Sequence, residues 1–482
     1  MVALLRCLAL ATGLLLTLIP ATGVGQEIAP IALRAVRYDW EIVPDYGAES
    51  MRAVCRLTVK NPLPKAQGEV PLLLYRLLVV EEVTDARDRP VPFEQQVKTF
   101  HDWGVMQVNA ITIRPPDPIA PGAELTLTIT YAGYLRGYTE TGMSYVRDRI
   151  DSSFTILRLD AFAYPALGVP CWTANRQAGP SAFDYTIAAT VPDSLVVANG
   201  GELVGIESGR GTHTYRFRNL LPAWRMDVAI ARYDVLERED GSRIYTFPED
   251  RRSGSRIARA MVRADSLYTD WFGPRLYTHG ITVIEVPDGW GSQTDVTTII
   301  QTAPAFHSTD NLYQFYHEVS HLWNPRSLDP LPTRVESEGL AMFLQRRAAE
   351  ALDGDHGAVD REVEAMRKRF RAACDRRPEV ARVPIARYGE ENLTDLSYSK
   401  GMVFFAVLHG VLGEMRFNHM IRTYADTYRE GATLRQFADL CLRHAECKEG
   451  MRRLLSEWLN GAESSDLLLS GTRLSEMVGR YR

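Results

Sequence analysis

Between about Glu27 and Glu239 apolar and polar positions alternate in short runs, the period of two that a half-buried strand imposes. Residues 52–59 (RAVCRLTV), 125–131 (LTLTITY), 183–191 (FDYTIAATV) and 214–217 (TYRF) carry this pattern most clearly. Asn61-Pro62, Pro115-Pro116-Asp117-Pro118, Pro121-Gly122 and Asn199-Gly200-Gly201 punctuate the runs with residues that favour turns. Strands with one apolar face bury it most simply against a second sheet, so residues 26–240 are expected to form an N-terminal antiparallel β-sandwich domain.

After Asp240-Gly241 the period lengthens. Residues 256–272, 311–323, 340–352, 359–374, 400–412 and 416–428 place apolar side chains three or four apart and predict helices, with one strand at 281–286 among them. The change of texture near residues 235–245 predicts a second, mostly helical domain over 241–482. No internal repeat or low-complexity tract interrupts either part.

Residues 1–25 have a different character. One basic residue, Arg6, precedes an apolar stretch over residues 7–19, and Pro20, Ala21, Thr22 and Gly23 follow as a helix break and cleavage-type small residues. The stretch is short for a membrane span and reads as a signal peptide. Export to a periplasmic or extracellular space follows, with a tether at the start of the chain if the leader is kept. No later segment predicts a stable membrane span.

Composition narrows the function classes. At 45% hydrophobic and 24% charged residues the chain is neither disordered nor a disulfide-dominated miniprotein. The net charge of −5 and the lack of a concentrated basic face argue against a nucleic-acid partner. The densest basic run, residues 367–377 (RKRFRAACDRR), reads as a solvated helix face. Beyond the leader the cysteines are Cys55, Cys171, Cys374, Cys441 and Cys447, with no CxxC pair. Cys441 and Cys447 are near enough in sequence to bond, although on one continuous helix they would point apart.

The chemistry concentrates at His317-Glu318-Val319-Ser320-His321, an HExxH pattern on a predicted helix. Asp310 or Asn311 can cap this helix, Leu312, Phe315, Val319 and Leu322 give it an apolar stripe, and Pro325 stops it. The four-residue spacing places both imidazoles on one face, where they can bind one zinc ion. Glu318 lies about 100° around the helix, where a general base belongs. Catalytic zinc ordinarily takes three protein ligands. The acidic start of the next helix, Val335-Glu336-Ser337-Glu338-Gly339, supplies candidates. Glu336 and Glu338 face nearly opposite ways, so only one can coordinate, and either is available by spacing.

HEVSH, followed by ESEGLAMF and then Leu396-Ser397-Tyr398-Ser399-Lys400-Gly401, resembles the gluzincin zinc metallopeptidases related to aminopeptidase N. Pro170-Cys171 and Ala198-Asn199-Gly200 are similar to that family's β-domain, so the likeness covers most of the chain. The resemblance implies a thermolysin-like zincin catalytic domain behind the sandwich. It implies Glu338 as the third zinc ligand beside His317 and His321, Glu318 as the proton carrier and Tyr398 as the oxyanion donor. His321-Leu322-Trp323-Asn324 is also similar to the glycyl aminopeptidase branch.

The departures are specific. Sixteen residues separate His321 from Glu338, about two fewer than the family shows. The family's amine-gripping glutamate loop corresponds to Gly289-Trp290-Gly291-Ser292-Gln293, which has no acid. Gly291 and Gln293 are therefore the candidate substrate-binding residues, and an amide attracts an ammonium less than a carboxylate does. A second family amine anchor is replaced by the 159–161 stretch, with Asp160 or Asp295 as possible compensation. Arg482 follows soon after Trp458-Leu459, which leaves out the family's long helical C-terminal domain and predicts a more open cleft. The expected function is an exported, aminopeptidase-like zinc metallopeptidase acting on peptides or proteins. An endopeptidase or other hydrolase with the same zinc site, and a non-catalytic peptide-binding relative, are the alternatives.

Overall fold

The computed structural model describes residues 31–482 except 139–142, 144, 180, 276 and 278, so the expected leader lies outside the described residues. In the front half, seven strands form one sheet in the order Glu202–Ser208, Thr212–Arg218, Asp184–Pro192, Arg34–Asp45, Ser50–Lys60, Glu124–Tyr134 and Leu78–Asp85. Four more form a second sheet: Phe93–Phe100, Trp103–Ile113, Val70–Tyr75 and Ala166–Leu167. Trp40, Leu57 and Ile129 of the first sheet share a core with Leu72, Val108 and Ile111 of the second. A small sheet of Val196–Ala198, Val228–Ala231 and Phe154–Leu157 adjoins them.

The sandwich is not purely antiparallel. Arg34–Asp45 runs parallel to Asp184–Pro192, with Trp40 opposite Ile187. A period of two fixes which face each residue takes but carries no strand direction, and no hairpin joins these two strands. At the centre of the core the Trp40 Nε1–H donates to the Tyr131 hydroxyl at 2.8 Å, and that hydroxyl donates to the Ala163 carbonyl at 3.0 Å.

The rear half holds five strands where the hydropathy pattern predicts one. Their order is Asp234–Glu237, Arg243–Thr246, Thr282–Val286, Thr298–Thr302 and Gln293–Asp295. The four unforeseen strands are three to five residues long, too short for a period to register. Thr282–Val286 lies between two parallel neighbours and is buried along its whole length. Asp234–Glu237 and Arg243–Thr246 form a hairpin around Gly241, whose φ of 81° suits the turn.

Helices follow the longer period closely: Arg251–Phe272, Leu312–Ser320, Leu340–Asp353, Ala358–Arg376, Lys400–Leu412 and Glu414–Thr427. Lys400–Leu412 is buried on nearly every side, and Leu434–His444, Lys448–Leu455, Ser464–Ser470 and Leu474–Gly479 close the bundle. Among the described residues no single helix is long and apolar enough to cross a membrane. The five described cysteines are free thiols, and Cys447 Sγ accepts from the Gly450 N–H at 3.2 Å, so the candidate Cys441–Cys447 bond is not formed. The basic run is only partly solvated: Arg367 is buried and donates to the Leu468 carbonyl, and Arg371 donates to that of Leu469.

Replacing Tyr131 with Phe leaves the buried Trp40 N–H and Ala163 carbonyl without their shared partner. The expected cost is about 1–3 kcal/mol, read as a lower urea midpoint with an unchanged m-value.

Candidate active site

The HExxH helix, Leu312–Ser320, buries Leu312, Phe315 and Val319. Its cap sits earlier than expected. Ser308 accepts from the Asp310 N–H and caps the 3-10 turn Thr309–Asn311, while the Asn311 amide donates to the Pro304 carbonyl. The α-helix ends at Ser320 and tightens into the 3-10 turn His321–Trp323, fixed by the Trp323 Nε1–H on the Gly273 carbonyl at 2.8 Å.

The chain returns through Arg334, in the left-handed region at φ 67°, into a π-helical turn over Val335–Gly339 that opens helix Leu340–Asp353. A π-turn admits an extra residue and so sets which way each carboxylate faces. Glu338 joins the two imidazoles, whereas Glu336 is buried outside that group, where burial raises its carboxyl. Two glycines allow the turn to seat. A Cβ on Gly339 would lie 2.9 Å from the backbone of Gly401 and 3.1 Å from the Ser397 carbonyl. This contact brings Tyr398 alongside.

The donor atoms of His317, His321 and Glu338 all lie within 4.8 Å of one another. Glu338 Oε2 is 3.3 Å from His317 Nε2 and 3.7 Å from His321 Nε2, while Arg334 holds Oε1. The His317 Nδ1–H donates to Gln345 Oε1 at 3.1 Å, which turns Nε2 toward the Glu338 carboxylate. The Asn324 amide sits 3.2 Å from His321 Nδ1. Burial, the largest effect, lowers His321 to about 4 and keeps it neutral. Burial also works against a charged His317, but the hydrogen bond to Glu338 and the charge of Glu318 prevail and raise it. Glu338 is buried yet held well below the usual carboxylate range by Arg334 and both imidazoles. Two ring nitrogens and one carboxylate oxygen, with their outer atoms already tied, fit zinc in donor type and number.

Glu318 is buried beside this group, and the Thr294 hydroxyl donates to its Oε2 at 2.7 Å. Burial pushes its carboxyl up to about 7 against the opposing pull of His317. The Tyr398 ring stacks on His317 with centroids 6.4 Å apart and planes 6° apart, and its hydroxyl accepts from Arg334 at 3.2 Å.

Gln293 begins the edge strand of the rear sheet, with Nε2 3.5 Å from Asp160 Oδ2 and Oε1 buried without a hydrogen-bond partner. Asp160 sits on the 3-10 turn Leu159–Ala161 and pairs with Arg225 at 2.6 Å. Gly291 has φ 73° and passes so near Tyr145 that a Cβ would be 3.0 Å from that residue's own Cβ. Burial raises Asp295 to about 7.

Arg334, Thr294 and Gln345 complete the site and did not emerge from the sequence, and Asn324 emerged only as the end of the His321–Asn324 match. Gln345 left one trace, a lone amide seven positions after Glu338 on the apolar face of its helix. Arg334 and Thr294 reach the site only through the fold.

No protein-family model matches the chain. The chain is 25% identical to leucine aminopeptidase 2 of Vanderwaltozyma polyspora over 266 residues, 51% of this chain and 38% of that protein, so it spans well under two thirds of that relative. The M1 zinc metallopeptidase of Deinococcus radiodurans superposes with a TM-score of 0.64 at 18% identity, covering 89% of this chain and 95% of the other. A variant of it bound to the substrate Tyr-Ser-Ala superposes at 0.62 with 18% identity, covering 89% and 94%. The chain has the two-domain fold of the M1 zinc metallopeptidases. Within that fold the M1-type sandwich precedes the helical part, as the hydropathy pattern predicts.

Gln345→Leu removes the acceptor that orients His317 in this site. Zinc affinity is expected to fall about 10–100-fold with an unchanged far-ultraviolet circular dichroism spectrum, measured by competition with a chromogenic chelator.

Proposed function

We propose that the chain is an exported zinc metallopeptidase that releases residues from the N-terminus of peptides. The observation that carries the reading is the meeting of His317, His321 and Glu338 with Glu318 and Tyr398 at one buried point. His317, His321 and Glu338 would hold the metal. Zinc bound there supplies a Lewis acid toward water and the scissile carbonyl.

The remaining steps belong to the side chains. Glu318, with a carboxyl near neutrality, accepts the proton of the attacking water and passes it to the departing amine. Thr294 holds that carboxylate in place through the 2.7 Å hydrogen bond. The Tyr398 hydroxyl keeps its proton, because burial raises it far above its ordinary value, and donates it as a hydrogen bond to the carbonyl oxygen as charge develops. Arg334 fixes both Glu338 and Tyr398 and so aligns ligand and donor.

N-terminal selectivity draws support from the partial likeness to a leucine aminopeptidase and from the pairing of Asp160 with Gln293. The Asp160 carboxylate, to which Gln293 Nε2 donates, would be the acceptor for a substrate ammonium. The charge of Asp160 is shared with Arg225, which favours the endopeptidase reading instead. Export rests on the pattern of residues 1–25.

Glu318→Gln is expected to keep one zinc ion per chain and lose about 10²–10⁴-fold in kcat; undiminished turnover would sink the proton-carrier role. Asp160→Asn should raise KM for free-amine peptides while leaving N-acetylated ones unaffected. If acetylated peptides are cut faster than free ones by the wild-type chain, the enzyme is an endopeptidase. N-terminal sequencing of protein secreted by an expressing cell should begin within a few residues of Gly25.

A further inference from the structure

Away from the HExxH helix, the described residues contain a second set of metal-ligating side chains, Asp250, Glu285 and His307, whose donor atoms lie within 4.8 Å of one another. Three elements distant in sequence deliver them. Asp250 ends the turn Pro248–Asp250 that starts helix Arg251–Phe272, Glu285 stands on the central strand of the rear sheet, and His307 ends the short helix Pro304–His307.

Glu285 is the telling member. It is 0% exposed, and although Oε2 accepts from the Phe247 N–H at 2.8 Å, Oε1 has no hydrogen-bond partner. Asp250 is nearly as buried and lies close enough to share a hydrogen bond with it. Two carboxyls in one dry place require a positive charge or a proton between them. Among the described residues neither carboxylate forms an ion pair with an arginine: Arg251 lies 3.9 Å from Asp234, and Arg256 donates to the Phe306 carbonyl and Ser253.

His307 points to the cation. Its Nε2 is 2.9 Å from Asp250 Oδ2, and its side chain is 58% exposed, so the group opens to solvent through the imidazole. Two atoms bound to one tetrahedral ion at about 2.1 Å stand about 3.4 Å apart, so a small adjustment of the exposed imidazole would seat the ion. An imidazole with two carboxylates suits zinc better than magnesium or calcium, which take oxygen almost exclusively. We infer that Asp250, Glu285 and His307 bind a second zinc ion, which ties the start of the long helix and the rear sheet to the segment leading into the HExxH helix.

The test uses the full chain, stripped with a chelator, dialysed and titrated with Zn²⁺ in millimolar Mg²⁺, with bound zinc counted by inductively coupled plasma mass spectrometry. Two ions per chain are expected for the wild type, one for His307→Ala, one for Glu285→Gln and one for the His317→Ala/His321→Ala double variant. Since His307 is largely exposed, its variant keeps the test readable if Glu285→Gln fails to fold. A wild-type count of one that His307→Ala leaves at one overturns the second site. A wild-type count of one that falls to zero in His307→Ala supports it and instead removes the metal from the proposed catalytic centre. Two ions in both the wild type and His307→Ala place the extra zinc elsewhere and overturn the assignment.

Discussion

The carboxylate of Glu338 is the constraint around which the rear half is arranged. It is buried, and a buried anion persists only if its surroundings neutralise it and meet both oxygens. Arg334 meets one oxygen and the two imidazoles face the other. Each of these partners needs its own support: the π-turn sets the carboxylate's direction, the left-handed Arg334 swings the guanidinium inward, and Gln345 holds His317. The contact of Gly339 with Gly401 makes the arrangement possible, since any larger side chain would push the Glu338 turn off the segment that carries Tyr398.

The front half takes part in the site as well. Asp160 comes from the sandwich side and Gln293 from the edge of the rear sheet, and they meet at 3.5 Å. Behind Asp160 lies a charged network: Arg225 binds both Asp160 and Asp227, while Arg158 binds Asp148 and donates to the Trp290 carbonyl in the loop before Gln293. Buried ion pairs of this kind add little net stability but lose much when one partner is removed. They hold the Gly289–Gln293 loop in register with the sandwich.

How much could be read in advance follows from how far each feature depends on neighbours in sequence. The HEVSH helix, its apolar stripe and the six helical segments are local and were legible to within a turn, except that Arg251–Phe272 starts five residues before the expected 256. The choice between Glu336 and Glu338 was open from spacing, because a π-turn changes the angle between them and leaves no mark in hydropathy. The parallel pairing of Arg34–Asp45 was invisible for the reason that period two has no direction. The short strands around Thr282–Val286 fell below the length at which any period registers, and Arg334 and Thr294 reach the site only after distant segments have docked.

That parallel pair also governs the order in which the sandwich can be assembled. Arg34–Asp45 lies in the middle of its sheet, with Ser50–Lys60 on one flank and Asp184–Pro192 on the other. The first flank is available as soon as a hairpin is made, whereas the second is more than a hundred residues downstream, and closing so long a loop is slow. During synthesis the nascent sheet therefore exposes an unpaired backbone edge until Asp184–Pro192 emerges. That interval is when the chain is most open to handover to a chaperone, and most vulnerable to pairing with another copy of itself.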